Sequence, residues 1–191
     1  MPPPHIGKKE VKQMKTMSSK SQNVALKEVP VNAIKPNPYR NIDEYPLRPE
    51  KLDALEASIN ETGFWDNIVC RPKGKGYEIA YGHHRLEVLS TILKQKKAQV
   101  LIKELSNEQM LKMMSYENHE AFGSDAWVEM EDIRQTIGAY GHGEIELPGE
   151  IKPSNRAKKL YPQGAADRAY TKMQIARFLG RMHRPVQRFS E

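Results

Sequence analysis

The spacing of apolar residues changes along the chain, and each change marks a new element. Residues 1–22 show no periodicity; they are rich in Lys, Ser and Met and read as a disordered tail, with order beginning at Val24. Val24–Val29 reads as a first strand. Lys35-Pro36-Asn37-Pro38-Tyr39-Arg40 follows, and its prolines exclude a helix interior. Leu52, Leu55 and Ile59 then share one helical face, which predicts a helix over 49–62 that begins on Pro49 and stops at Gly63. Ile68–Arg71 and Tyr77–Tyr81 read as two strands joined by the turn-rich Pro-Lys-Gly-Lys-Gly. Gly82 ends the second of them and opens another helix, with Leu86, Leu89 and Leu93 as its buried stripe. Ala98–Leu105 reads as a further strand.

Ser106-Asn107-Glu108-Gln109 has the form of a capping box and predicts a helix to about Asn118, with Met110, Leu111 and Met114 inward. Ser124 is the predicted cap of the next helix, whose stripe is Met130, Ile133 and Ile137. Residues 138–168 mix glycine, proline and charge and read as a linker able to hold one short helical piece. The last element, about 170–190, reads as short, basic and partly helical. Strands and helices interleaved in this way predict an α/β or α+β body with a helical end. The chain divides into a tail (1–22), a folded domain (23–120), a helix and linker (121–169) and a basic helical segment (170–191).

The chain has 191 residues, enough for one ordinary domain and a smaller attachment. No apolar run approaches the roughly 20 residues that cross a bilayer. The opening MPPPHIGKKE lacks the apolar stretch of a signal peptide. Both predict a cytoplasmic protein with no membrane partner. Cys70 is the single cysteine, so no internal disulfide is available. The net charge of +6 is uneven: residues 1–22 carry five lysines against one glutamate, and residues 171–191 carry five cations against one glutamate. Basic ends around a slightly acidic body suit contact with a phosphate backbone, or simply solvate the chain.

The candidate chemistry lies in Gly82-His83-His84-Arg85, where a strand passes into a helix. A helix N-terminus leaves N–H groups without partners and favours anions. Glycine lets a ligand approach the backbone, Arg85 offers a planar fork to phosphate oxygens, and two imidazoles can donate further hydrogen bonds. Spacing alone leaves open an exposed polar first turn with no ligand. Adjacent histidines point to different sides of a helix, and no cysteine pair or H-x-x-x-H spacing is present, so zinc is not favoured. Glu117-Asn118, a carboxylate beside an amide at a helix end, can ligate magnesium or be ordinary helix-end polarity.

In order along the chain, Asn37-Pro38-Tyr39-Arg40, Ala57-Ser58-Ile59 with Gly63, Ile68-Val69 with Arg71, Tyr77-Glu78-Ile79-Ala80 before Gly82-His83-His84-Arg85, and finally Glu117-Asn118 resemble the N-terminal domain of ParB-family partition proteins. The resemblance covers about residues 24–120. It implies an α+β fold of the ParB/sulfiredoxin kind, a small mixed sheet with flanking helices, followed here by a helical basic segment. It implies that Gly82, His83, His84 and Arg85 hold the triphosphate of CTP, that Glu117 and Asn118 bind phosphate and Mg2+, and that Trp65, Asp66, Asn67 and Ile68 face the base. It further implies CTP-gated clamping on DNA with slow, weak CTP hydrolysis; an enzyme on the same fold would need a catalytic carboxylate near the turn, for which Glu117, Asp66 and Glu120 are the candidates. The partners implied are DNA, a partition ATPase or other protein, and a second copy on nucleotide binding, in a bacterium, plasmid or phage. Sulfiredoxins share the fold and carry a reactive cysteine where this chain has His83. Partition proteins usually have Gly-Glu-Arg-Arg at the turn, Gln-Pro where this chain has Asp66-Asn67, and an arginine where it has Ala121. Fewer fixed charges predict weaker phosphate binding, and two histidines predict that it depends on pH.

Tyr170–Gly180 followed by Arg184-Pro185-Val186-Gln187-Arg188-Phe189 has helix-turn-helix grammar: Thr171 caps, Ile175, Phe178 and Leu179 face inward, and Gly180 turns. It resembles the start of the central DNA-binding region of the same family. Lys172, Arg177, Arg181, Arg184, Gln187 and Arg188 are the candidate DNA contacts. The competing expectation is a basic helix that packs on the body. Two other functions compete on the same fold: a nuclease or phosphotransferase, and a DNA- or protein-binding module whose nucleotide pocket has decayed.

Overall fold

A computed structural model describes residues 24–41, 48–63, 68–123, 125–149 and 171–180. Its centre is a five-stranded mixed sheet of β1 (Ala25–Pro30), β2 (Ile34–Lys35), β3 (Val69–Lys73), β4 (Gly76–Tyr81) and β5 (Lys97–Ile102), ordered β1-β5-β3-β4-β2. The β1/β5 and β3/β4 pairs are antiparallel, and the β3/β5 and β2/β4 pairs are parallel. The fold is therefore α+β, as the sequence predicts.

Alternation along β4 assigns the two faces. Ile79 packs with Val29, Ile34, Ile68, Leu89 and Val100, whereas its neighbour Ala80 packs with Met110, Leu111, Met114, Ile133 and Ile175. The first face is covered by α2 (His83–Glu87), which continues as a wider π-turn over Val88–Ile92, with α1 (Pro49–Thr62) beside it. The second is covered by α3 (Asn107–Phe122), α4 (Ala126–Gly141) and α5 (Lys172–Leu179). Fully burying each large aliphatic side chain here contributes about 1.5–3 kcal/mol.

Most predicted elements appear where the pattern puts them, and the differences have local causes. Helix α1 starts at Pro49 and ends at Gly63, whose φ is 79°. Its stripe of Leu52, Leu55 and Ile59 is only half-buried, so α1 rests on α2 without entering the core. Strand β3 runs on through Pro72, because β5 pairs only with Val69 and Cys70 and leaves Pro72 bonded on one side alone. The capping box at Ser106 and Gln109 forms, but α3 runs on to Phe122, beyond the predicted end. Asp125, not Ser124, caps α4, its carboxylate accepting the N–H groups of Trp127 (3.0 Å) and Val128 (3.2 Å). Residues 138–149 are not a linker: α4 continues to Gly141 because Ala139 and Tyr140 are buried, and Ile145 and Leu147 join the same core. Thr171 caps α5 through a second capping box, and Gly180 turns the chain at φ 66°. Cys70 is buried in β3, and burial pushes its thiol up to about 12.

Arg71 locks the sheet to α3. Its Nε donates to Glu78 Oε2 (2.8 Å) within the β3/β4 hairpin, and its Nη1 donates to Asn107 Oδ1 (2.8 Å) in the first turn of α3. This sets how α3 lies across the end of β4. At the other end of the hairpin, a Cβ on Gly76 would lie 2.7 Å from the carbonyl oxygen of Ala33. Gly76→Ala should therefore cost about 1–3 kcal/mol by overpacking against rigid backbone. Urea unfolding should show a lower midpoint with an unchanged slope; an unchanged midpoint would mean that the approach is not tight.

Candidate functional site

Gly82 adopts φ 100°, ψ 29°, a left-handed conformation that residues other than glycine rarely hold. This bends the end of β4 straight into α2 and aims His83 toward α3. There the backbone N–H of His83 donates to Glu117 Oε1 (2.9 Å), and Nδ1 of the same residue lies 2.8 Å from Glu117 Oε2. The carboxylate is an acceptor, so Nδ1 carries the proton. The turn N–H predicted to receive phosphate is thus already held by the chain's own carboxylate.

Arg40 closes this group from the opposite side. Asn37 makes an Asx turn, Oδ1 accepting the Tyr39 N–H (3.0 Å), and anchors to α3 by donating Nδ2 to the Met110 carbonyl (3.2 Å). The turn delivers Arg40 Nη1 to 4.0 Å from Glu117 Oε2. Burial pushes the Arg40 guanidinium down to about 9, still a cation at neutral pH, with Glu117 and Asp132 opposing the shift. Burial pushes the Glu117 carboxyl up, but the His83 hydrogen bond, the Arg40 charge and the turn N–H together hold it below its ordinary value. Burial keeps His83 neutral against the pull of Glu117.

His84 lies on the other side of α2, its ring 5.5 Å from that of Phe122, and burial pushes its pKa down to about 4. The first turn of α2 is therefore not the exposed polar turn that spacing left open: both rings are enclosed, and His83 Nδ1 donates to Glu117. Both are neutral parts of the frame that ties α2 to α3, His83 through Glu117 and His84 through Phe122.

A cleft of about 330 Å³ opens beside the turn, between α1, the end of β4 with α2, and α3. Lys51 lines it from α1, Tyr81, His84 and Arg85 from the second wall, and Glu117 and Glu120 from α3. The Arg85 guanidinium sits 5.9 Å from the centroid of the Tyr81 ring, and the Tyr81 hydroxyl donates to Glu120 Oε2 (2.8 Å). Burial and this bond to Glu120 both raise the Tyr81 pKa, keeping the hydroxyl protonated.

The structure therefore brings Gly82, His83, His84, Arg85 and Glu117 together, and adds Arg40 and Lys51, which sequence reasoning did not assign to the site. Arg40 was visible as part of a Pro-rich segment within the family resemblance but with no role attached, and Lys51 only as one of many lysines. Asn118 turns the other way: its Nδ2 donates to Asp132 Oδ1 (2.8 Å) on α4, and Ser115 Oγ donates to Asp132 Oδ2 (2.9 Å). Glu117 and Asn118 so face different elements. Both Glu117 oxygens are engaged by His83, and no cluster of three or more metal-ligating side chains occurs among the described residues. Ile68, predicted to face the base, has its side chain in the core. Trp65, Asp66 and Asn67 lie outside the described residues, as do Arg181, Arg184, Gln187 and Arg188. Lys172 and Arg177 are on α5, about 140° apart around its axis, so they do not share one face.

The profile of the ParB N-terminal domain family matches residues 13–119, more than half of the chain. The chain belongs to the ParB N-terminal domain family. Within this ParB N-terminal domain the match ends two residues after Glu117, at the end of the site just described. The chromosome-partitioning protein Spo0J of Thermus thermophilus is 27% identical over 123 residues, which are 58% of this chain and 45% of that protein. The chain thus spans about half the length of this curated relative. Among solved structures, the C-terminally truncated ParB of Caulobacter crescentus complexed to the centromeric parS site aligns at TM-score 0.47 and 17% identity, covering 85% of this chain and 69% of that one. The same truncated protein complexed with CTP-γ-S aligns at 0.40 and 18%, covering 85% and 74%. A Pnob8-like ParB-N domain aligns at 0.49 and 12%, covering 83% and 61%.

Proposed function

We propose that this ParB N-terminal domain binds a nucleoside triphosphate, CTP first, in the cleft beside Gly82–Arg85, and acts with DNA in the partition of a bacterial chromosome, plasmid or phage. The observation that carries the reading is the delivery of Arg85, by the left-handed Gly82, into a cleft of about 330 Å³ that Lys51 also lines. Two cations on separate walls suit a polyanion, and the apolar lining beside them suits a flat base. The choice of CTP rests on the resemblance of Gly82–Arg85 to the family's triphosphate turn. The role in partition rests on family membership and on the relative from Thermus thermophilus, and the DNA contact on the basic segment 170–191. In that segment Lys172 and Arg177 are joined by Arg181, Arg184, Gln187 and Arg188. A partition ATPase and a second copy remain the partners that the family implies.

A nuclease or phosphotransferase would need a carboxylate free to accept a proton or hold a cation near the phosphates. Glu117 is engaged by His83 and Arg40, which favours binding over chemistry at that residue. Calorimetric titration of CTP, ATP and GTP, with and without Mg2+, tests the proposal. CTP should bind tightest, and Arg85→Ala should weaken it at least tenfold, the value of a lost charged hydrogen bond to phosphate. No heat and no thermal stabilisation with any of the three nucleotides would leave the module with a decayed pocket as the better account.

A further inference from the structure

Lys51 is the third residue of α1, in its first turn and inside the same cleft as Arg85, and the reading above gives it no definite task. Its ammonium lies 5.0 Å from the centroid of the Phe122 ring, and the Arg48 guanidinium lies 5.0 Å from the same ring. Arg48 is offset by Asp125, Nη2 to Oδ2 being 3.1 Å. No such carboxylate is paired with Lys51 among the described residues. One aromatic ring therefore holds two like charges, of which only one is compensated.

The other charges around the cleft are already committed. Glu117 is met by His83 and Arg40, and Glu120 accepts the Tyr81 hydroxyl. The His83 backbone N–H, which would otherwise greet an anion, is occupied by Glu117. An anion entering the cleft must find its partners among side chains, and Lys51 and Arg85 are the cations that line it.

We infer that Lys51 is a phosphate ligand, a second cationic anchor that receives the nucleotide's phosphates from the α1 wall while Arg85 receives them from the α2 wall. The inference rests on the nucleotide reading above and adds a residue to it. The nucleotide then bridges α1 to α2. Phe122 holds the Lys51 stem in place, so the ammonium is positioned before the ligand arrives.

The test is calorimetry of CTP binding to the full chain and its Lys51→Met, Lys51→Arg and Arg85→Ala variants. Lys51→Met keeps the stem over Phe122 and removes only the charge. It should raise the Kd at least tenfold, while Lys51→Arg stays within about threefold of the wild type. If Lys51→Met binds CTP as the wild type does and Arg85→Ala does not, the inference is overturned and the nucleotide reading stands. If the wild type binds none of CTP, ATP and GTP, both fall together. Thermal unfolding without ligand is run beside each titration, so that a loss of fold is not read as a loss of ligand.

Discussion

Glu117→Gln should lower the unfolding free energy by about 3 kcal/mol and the melting temperature by roughly 6–12 °C, although the change is isosteric. The Arg40 and Glu117 side chains are only 3% and 6% exposed, so neither charge has water to fall back on. Glutamine can still accept the His83 backbone N–H, but it leaves the Arg40 cation without its nearest counter-charge. Asp132 also faces Arg40 electrostatically, which keeps the expected loss at the lower end of what breaking a buried pair costs. The acid dependence has a definite sign. The Glu117 carboxyl titrates lower when folded than its ordinary value of 4.5, so its contribution is complete above that pH and is lost as pH falls through the folded value. A double variant, Arg40→Met with Glu117→Gln, should recover part of the loss, because it removes the stranded cation. Thermal and urea unfolding check both; a melting temperature within 2 °C of the wild type, on the order of the scatter expected of surface substitutions, would mean that the pair does not hold the turn to α3.

The elements were legible where local rules act, and the site was legible only in part. Pro49 and Gly63 bracket α1, and the capping boxes at Ser106 and Thr171 open α3 and α5, because caps and breakers act within a few residues. Residues 138–149 misled for the opposite reason: glycines at 138, 141 and 143 read as a linker, but burial of Tyr140, Ile145 and Leu147 against α3 and α5 overrides their cost. At the site, Gly82 and Arg85 were legible from a strand-to-helix turn. Arg40 was not assigned, since its place depends on an Asx turn anchored to a carbonyl on α3, far along the chain. The two histidines were read as polar because periodicity does not say what α3 places over the start of α2. Glu117 and Phe122 do so, and they enclose both rings. Neighbouring residues on α3 then diverge: Glu117 reaches the turn, while Asn118 and Ser115 reach Asp132, a residue with no exposed surface. The turn and α4 are thereby tied to one helix.

Acid should destabilise this domain well before its carboxylates titrate, and His84 should be a main cause. Burial lowers its pKa from 6.5 to about 4; the Glu117 charge opposes the shift, and the Arg40 and Lys51 charges add to it. A base whose folded pKa is depressed binds its proton more readily when unfolded. Its contribution to stability is therefore complete above pH 6.5 and is lost as pH falls from there toward 4. The full shift is an upper bound, because solvent still reaches part of the ring; about 2 kcal/mol is the expected loss over that window. His83, buried and neutral as well, moves stability in the same direction. Urea unfolding at pH 7, 6 and 5 should show a falling midpoint, and His84→Phe, which keeps a ring against Phe122 but cannot take a proton, should flatten the fall. A wild-type midpoint independent of pH from 7 to 5 would mean that the imidazole is solvated in both states. The same argument bears on the ligand. With both histidines neutral across the physiological range, phosphate affinity should be carried by Arg85 and Lys51, not by imidazolium charge.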